Sequence, residues 1–592
     1  MKKYIFNTLL SLSLVGMTAS CDLDAPTQSS MDESLIFSNY SMAEAAVMGI
    51  HQSFGETNSY RGRFLPYYGL NSDVEWINGQ DTDNFNDGGK NDLGSYGTAA
   101  GNGQMNSSNN AYAKLYEAIE RANKIIEGLR TYGNTESDSD MAQLLGETLT
   151  LRAFIYLDLI KAWGDVPARF EPITSETLYL PRSNRDEIFK QLLVDLDEAS
   201  KLVAWPNDNA ATKSTERVSR TFAKGLRARI ALYAGGYSQR QGGAISLSND
   251  PELERTAMYT IVKNECLEII NSGKNKLGEF KDNFLKLCKD DVTAGEESIW
   301  EIPFSEGRGR VLYTFGVKHN SQDQYTQQAQ GGVNGPLPYL FYDYDVEDVR
   351  RDITCVPYDW SKETTSKQQL RALNNWCFGK LRYEWMNRIV TSTNDDGVNW
   401  QAMRMADIYL MAAEVINELE GPAAAAPYLK PILDRALPAA KVTAYMSQAT
   451  ASKDAFFKAI VDQRALEFAG ECLRKADLIR WNMLKEKLDE AKEKMVQLRS
   501  RQGAYADLPE KLYYQTAEDG ETLVIYGLNH GDTDEAGAAL GYESNVTWIS
   551  ESKLEDKKIN WLYNKNPDEN QYWPIWQEFV DSSNGMLNNE WY

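Results

Sequence analysis

Apolar residues return at helical intervals over long parts of the chain. In ETLTLRAFIYLDLIKAWGDVP, Glu147 to Pro167, the residues Leu149, Ala153, Tyr156, Ile160 and Trp163 recur at steps of four, three, four and three, which is one face of an α-helix. Phe154, Ile155, Leu157 and Leu159 fill the other faces, so the pattern predicts a helix buried among other helices. Gly164 can adopt a left-handed cap and Pro167 cannot continue a helix, which sets the stop. Arg152 lies inside this apolar wrapping and needs a carboxylate or backbone partner.

The same period predicts further helices. Ser41 with Glu44 reads as a capping box before Ala45 to Ile50, and Asn184 with Glu187 as another before Ile188 to Val203. Helical patterns also cover Ala111 to Arg130, Thr221 to Tyr233, Leu253 to Asn271, Met403 to Glu420, Ala423 to Ala436, Asp454 to Ala469 and Glu471 to Lys487. Leu115 and Leu149 are 34 residues apart, as are Leu192 and Leu226, the length of a tetratricopeptide helix pair, although the literal tetratricopeptide signature is absent.

Three stretches lack the period. Tyr60 to Asn110 is rich in Gly, Asn and Asp and studded with Tyr67, Tyr68, Trp76, Phe85 and Tyr96. Glu296 to Trp400 opens on Ser298 to Ile302, a short strand that places Trp300 in the core, and continues through many aromatics among Gly, Gln and Asn. Arg501 to Asn570 reads as irregular. Long aperiodic stretches inside a globular chain are functional loops or disordered, and aromatics argue against disorder. The expected fold class is all-α: a tetratricopeptide-like helix-pair scaffold over 41–59, 111–272 and 401–490, large irregular loop insertions at 60–110 and 296–400, an irregular region at 491–592, and minor β structure.

Composition narrows the function classes. With 592 residues, 42% hydrophobic and 25% charged, the chain can bury a large core. A net charge of −23 repels phosphate backbones, so no nucleic-acid partner is expected. The three histidines, His51, His319 and His530, are far apart and form no His-x-x-x-His or His-Glu pair, which leaves a histidine zinc site or catalytic triad without support. Lys2 and Lys3, the apolar run Ile5 to Met17, and small residues before Cys21 read as a lipoprotein signal over 1–20. Thr18 stands where Leu is usual, and ordinary secretion is the alternative. Cys21 is the expected lipidation site, 21–40 a tether, and 41–592 one domain. Cys266, Cys288, Cys355, Cys377 and Cys472 read as small buried hydrophobes.

Four stretches together resemble one family: LRAFIYLDLIKAWGDVP; RMADIYLMAAEVINEL, Arg404 to Leu419; AIVDQRALEFAGECLRKADLIRWNML, Ala459 to Leu484; and YWPIWQEFVDSSNGMLNNEWY, Tyr572 to Tyr592. With the lipoprotein start they are similar to the SusD/RagB family of outer-membrane nutrient-binding lipoproteins. The chain departs at Asp407, where that family prefers Glu, and at Cys472, where Gly is usual. The third stretch is itself readable as structure. Arg464 and Glu467, Glu471 and Arg474, Arg474 and Asp477, and Asp477 and Arg480 are each three apart and predict ion pairs along helix faces, a reading preferred to a catalytic role for Glu467 or Glu471.

The resemblance implies four tetratricopeptide-like helix pairs with a ligand site in the loops between them. It also implies a cell-surface, lipid-anchored outer-membrane location, an oligosaccharide or peptide ligand, and a SusC-like TonB-dependent transporter as partner. Asp22 and Asp24 fit the acidic export signal such lipoproteins carry. No cofactor, metal or catalytic residue is implied. Sugars offer apolar ring faces and hydroxyls, which aromatic and amide, carboxylate or guanidinium side chains bind. The expected platforms are Tyr68, Trp76, Tyr96, Tyr325 and Trp360, with Arg63, Asn71, Asp73 and Gln80 as polar contacts. The acidic run Asp81, Asp83, Asn86 and Asp87 fails the EF-hand spacing and reads as a turn. The alternatives are a RagB-like peptide binder, a surface glycoside hydrolase, which needs two carboxylates across one cleft, and a protein-binding scaffold.

Overall fold

Helices α1 (Tyr40–Phe54), α2 (Ala111–Tyr132), α3 (Ser139–Trp163), α4 (Arg185–Leu202), α5 (Arg220–Ala234) and α6 (Arg255–Ser272) carry the first half of the chain. From α2 onward each packs on the next, and α1 lies against α2 and α3. The computed structural model describes residues 32–56, 59–61, 68–85, 88–89, 91–105, 111–392 and 396–590. Among them, no helix is long and apolar enough to cross a membrane.

Helix α3 is the axis. Asp138 caps it by accepting the N–H groups of Asp140 (3.0 Å) and Met141 (3.1 Å). Every residue from Met141 to Ile160 is buried. Gly164, at φ +71°, turns the chain out and returns its N–H to the Ile160 carbonyl. Arg152 finds the partners it needs: Asp195 (2.7 Å), the Asn123 amide oxygen (2.8 Å) and the Phe170 carbonyl (3.0 Å). Leu115, Leu149, Leu192 and Leu226 are all buried, so the 34-residue spacing marks helices that share one core.

The second half of the scaffold is α7 (Met405–Glu420), α8 (Pro422–Asp434), α9 (Lys453–Phe468), α10 (Arg474–Arg480) and α11 (Leu484–Arg499). α7 closes on α6, and α8 and α9 pack on α7. Two sequence expectations are corrected here. Asn39, not Ser41, caps α1 by accepting from Met42 N–H, while Glu44 pairs with Arg217 at 2.8 Å. The helix expected over Glu471 to Lys487 is broken into α10 and α11 around Asn482, whose φ is +58°.

Short strands link the inserts to the scaffold. β1 (Glu75–Ile77) pairs antiparallel with β3 (Asn334–Pro336), Trp76 opposite Gly335. β2 (Ser298–Ile302) pairs with β8 (Trp400–Arg404), which runs straight into α7. Trp300 in β2 is core, stacked on Phe222 at 4.4 Å. β4 (Cys355–Val356) pairs with β7 (Cys377–Phe378), and β5 (Tyr358–Trp360) with β6 (Gln368–Leu370). The stretch read as irregular after Arg501 holds a three-stranded antiparallel sheet, β9 (Lys511–Thr516) between β10 (Leu523–Tyr526) and β11 (Ser544–Thr547). The five cysteines beyond Cys21 are buried, and none is in a disulfide among the described residues.

The charged residues of the third stretch pair across the chain rather than along one helix. Of the four predicted pairs, Asp477 with Arg480 forms, at 2.8 Å. Arg464 instead bridges Asp407 (2.7 Å) and Asp477 (2.6 Å), and Arg474 grips both oxygens of Asp73 at 2.7 Å. Glu467 is surrounded by Arg350, Arg404 and Arg435, and Glu471 by Arg404 and Lys380. Burial opposes charge on Glu467, but the three guanidinium groups outweigh it and hold the carboxyl well below its ordinary range. Both acids are thus consumed by structural pairing.

The last residues return to α3. Trp573 N–H donates to the Ala162 carbonyl at 2.8 Å, and its ring meets Trp163 edge-on. Asn589 accepts from Ile575 N–H (2.9 Å) and donates to the Ile575 carbonyl (2.7 Å), which fixes the terminal loop.

Candidate ligand-binding face

The insert from Val317 to Val390 builds one aromatic face. Along β5, Tyr358 and Trp360 project to the same side and Asp359 to the other, where Arg371 (3.5 Å) and Gln369 (2.8 Å) meet its carboxylate. Trp360 is 3% exposed and packs on Val317, Val356 and Cys377. Tyr325 lies against it with ring centroids 4.8 Å apart, and Tyr358 meets it edge-on at 6.4 Å. Tyr325 and Tyr358 are half-buried, so each keeps surface open to solvent. Trp385, in the 3-10 turn Tyr383–Trp385, is half-buried as well and carries the Arg382 guanidinium over its ring at 4.6 Å.

Polar groups tie these rings in place. Tyr325 donates to Glu521 (3.0 Å), and Arg382 donates to Tyr358 Oη (2.8 Å) and to the Gly379 carbonyl (2.7 Å). Gln324 exchanges two hydrogen bonds with the Ser366 backbone, at 2.8 and 2.9 Å, which pins the Tyr325 loop to the β5–β6 connection. Burial, then Glu521, pushes the Tyr325 hydroxyl up to about 12, so it stays a donor at physiological pH. The face therefore offers apolar ring surface edged by amide, guanidinium and carboxylate groups, suited to a neutral ligand with alternating apolar and hydroxyl surface.

Two of the residues expected as platforms come together here, with different roles. Tyr325 contributes open ring surface, whereas Trp360 is corrected from platform to support because its rings are covered. Tyr68, Trp76 and Tyr96 are also corrected. Tyr68 is 4% exposed, with the Lys161 ammonium 4.9 Å over its ring. Trp76 is 2% exposed within the β1–β3 pair. Tyr96 is 5% exposed, donates to the Asn71 carbonyl (2.6 Å) and lies under Lys475. A covered ring cannot stack on a sugar.

The polar expectations fare similarly. Asn71 donates to the Leu562 carbonyl (3.1 Å), and Asp73 is held by Arg474, so both fix the chain. Gln80 remains half-buried on the turn after β1. That turn is joined to the insert by Asn78, which donates to the carbonyls of Gly332 (3.3 Å) and Trp376 (2.9 Å). Arg63 and Cys21 lie outside the described residues, as do Asn86 and Asp87. Asp81 accepts from Lys557 and Lys558, each at 3.4 Å, and among the described residues no group of three His, Cys, Asp or Glu is arranged to hold a metal.

Sequence reasoning missed Tyr358, Trp385 and His319. The alternation Tyr358-Asp359-Trp360 was the available signal for a strand with a shared aromatic side. His319 is followed four residues later by Asp323, a spacing that a search for His-x-x-x-His overlooks.

Two family models match the chain: one described as the SusD family over residues 362–592, and one described as starch-binding associating with outer membrane over residues 71–232. The chain belongs to the SusD/RagB family. All four stretches that carried the resemblance include residues inside these SusD matches. Among curated relatives, SusD-like protein P25 of Formosa agariphila is 25% identical over 412 residues, 64% of this chain and 71% of its own length. SusD-like protein P2 of the same organism is 22% identical, covering 81% of this chain and 91% of its own.

The SusD fold is shared with solved structures. A SusD homolog from Bacteroides thetaiotaomicron superposes with a TM-score of 0.65 at 18% identity, over 80% of this chain and 91% of that one. Surface glycan-binding protein A from the same organism, in complex with laminarihexaose, superposes with a TM-score of 0.61 at 17% identity, over 93% and 99%.

Proposed function

We propose that this SusD-family protein captures oligosaccharides at the cell surface through the face formed by Tyr325, Tyr358 and Trp385. The observation that carries the reading is three partly open aromatic rings: Tyr325 and Tyr358 braced by Trp360, and Trp385 joined to Tyr358 through Arg382, with Gln324 and Glu384 at the edge. Sugar ring faces stack on the aromatics, and hydroxyls bond to the edge groups. The laminarihexaose bound by surface glycan-binding protein A, a neighbour in fold, supports a glycan as ligand. The role is binding without catalysis: Glu467 and Glu471, the acids weighed for hydrolysis, are enclosed by cations. Anchored through acyl chains on Cys21 and facing outward from the outer membrane, the protein passes its ligand to a SusC-like TonB-dependent transporter.

Native gels containing a panel of polysaccharides test this, with laminarihexaose added to the set as a soluble competitor. The expected result is retardation by one glycan, lost in Tyr358→Ala and Trp385→Ala, with no shortened products on chromatography. Release of shorter sugars would sink the binding-only reading. Absence of retardation by every glycan, with affinity for peptides instead, would replace it with a RagB-like peptide binder.

A further inference from the structure

His319 lies beneath the aromatic face with both ring nitrogens turned towards carboxylates. Nδ1 stands 2.7 Å from Asp323 and Nε2 3.8 Å from Glu384. The ring stacks on Trp360, 5.6 Å between centroids at 19°, and meets the edges of Tyr383 at 5.1 Å and Tyr325 at 6.1 Å. Asp323 is shared. Its second oxygen accepts the N–H groups of Tyr325 (2.8 Å) and Thr326 (3.1 Å), so one carboxylate both holds the imidazole and fixes the turn that presents Tyr325. His319 Nε2 and Glu384 Oε2 are buried with no hydrogen-bond partner closer than each other among the described residues.

Resting on the reading of this face as the ligand site, we infer that His319 is a positioning residue whose proton clamps the face together, so ligand capture is strong while the ring is charged and weakens when it is neutral. A charged ring has an N–H on each side and joins the 319–330 loop to the Tyr383–Trp385 turn through two carboxylates. It also places a cation under the Trp360 π-face. A neutral ring keeps one N–H. With that proton on Asp323, the Nε2 lone pair faces the Glu384 carboxylate, and the ionic link between the turn and the loop is lost.

The electrostatics agree. Burial disfavours the charged ring, but the hydrogen bond to Asp323 and the nearby carboxylate of Glu384 outweigh it, so the His319 pKa is raised. A raised value means the clamp is complete below the ordinary histidine value, about 6.5, and is lost as pH rises through the folded value. The tyrosine hydroxyls around the ring and its aromatic neighbours do not compete in that interval. Burial pushes the hydroxyls of Tyr325, Tyr358 and Tyr383 up. Asp359 is paired with Arg371 on the far side of β5, and Arg382 stays 3.9 Å from Glu384.

With three histidines in the chain, imidazole NMR resolves His319 once His319→Gln assigns it. The expected result is a ring that titrates above about 6.5 and moves down in Glu384→Gln. Affinity for the retarding glycan, measured at pH 6 and pH 9, is expected to fall about tenfold in the wild type and to stay flat in His319→Gln. A ring titrating at or below the ordinary value, or superimposable pH profiles for the two proteins, would overturn the clamp. If no glycan binds, the reading of the face fails separately, and hydrogen exchange of the 319–330 amides decides the clamp. Protection lost between pH 6 and pH 9 only in the wild type upholds it, and equal protection overturns it.

Discussion

Arg404 is shared by three carboxylates, with Glu297 at 2.9 Å, Glu467 at 2.6 Å and Glu471 at 2.8 Å, all buried or nearly so. Removing one partner of such a set leaves uncompensated buried charge, so Arg404→Met is expected to lower stability by about 3–5 kcal/mol in urea denaturation. Glu75 is the opposite case. Buried in β1, it is pushed up to about 8 mainly by desolvation, with Lys380 and the Gly470 N–H pulling it part of the way back. A raised carboxyl costs nothing while it is protonated in both states, and its penalty grows as pH rises towards the folded value. Glu75→Gln is therefore expected to match the wild-type Tm at pH 4 and to exceed it at pH 9. Cys472 illustrates steric cause. It takes φ +56°, a conformation that glycine adopts freely and that other residues adopt at a cost. Gly69 faces it so closely that a Cβ there would lie 2.6 Å from that of Cys472. Gly69→Ala is expected to destabilise the protein, read as a lower urea midpoint.

At the scale of elements, the β5–β6 hairpin separates two kinds of aromatic. Tyr358→Ala removes open ring surface and is expected to weaken glycan binding by at least about fivefold while leaving Tm within a degree or two. Trp360→Ala empties a packed site and is expected to cost about 3–5 kcal/mol of stability as well as binding. Thermal melts run beside the gels distinguish the two. The scaffold was legible because period and burial agree: α3 repeats its apolar residues at helical steps, and its stop at Gly164 follows from local chemistry alone. The face was only partly legible. Trp76 and Tyr325 sit in similarly polar, aperiodic surroundings in the sequence, yet β1 buries one against Gly335 while the other lies on an open loop. That choice depends on strand partners more than 250 residues away (Trp76 opposite Gly335), which no local window contains. Among the described residues, three of the four expected ion pairs are absent for a related reason. Spacing by three identifies which side chains share a helix face, but Asp73, Arg350 and Lys380 arrive from the inserts and take those partners first.

For the whole molecule, the inserts and the scaffold are held together by charge inside, while the proposed binding face offers aromatic ring surface outside. Binding that relies on stacking and neutral hydrogen bonds is little screened by salt. Glycan affinity at 0.5 M sodium chloride is accordingly expected to stay within about twofold of its low-salt value. A steep fall would point to an anionic ligand held by Arg382 and its neighbours.

The return of the C-terminus to α3 sets the order of events during synthesis. Trp163 becomes a core residue only when Trp573 and Trp576 close over it, roughly four hundred residues after it leaves the ribosome. Until then the end of the central helix is an open apolar surface, and the loop that must close to cover it spans most of the chain. A nascent chain therefore cannot complete this part of its core until Trp573 and Trp576 have been added, and the end of α3 stays open until then.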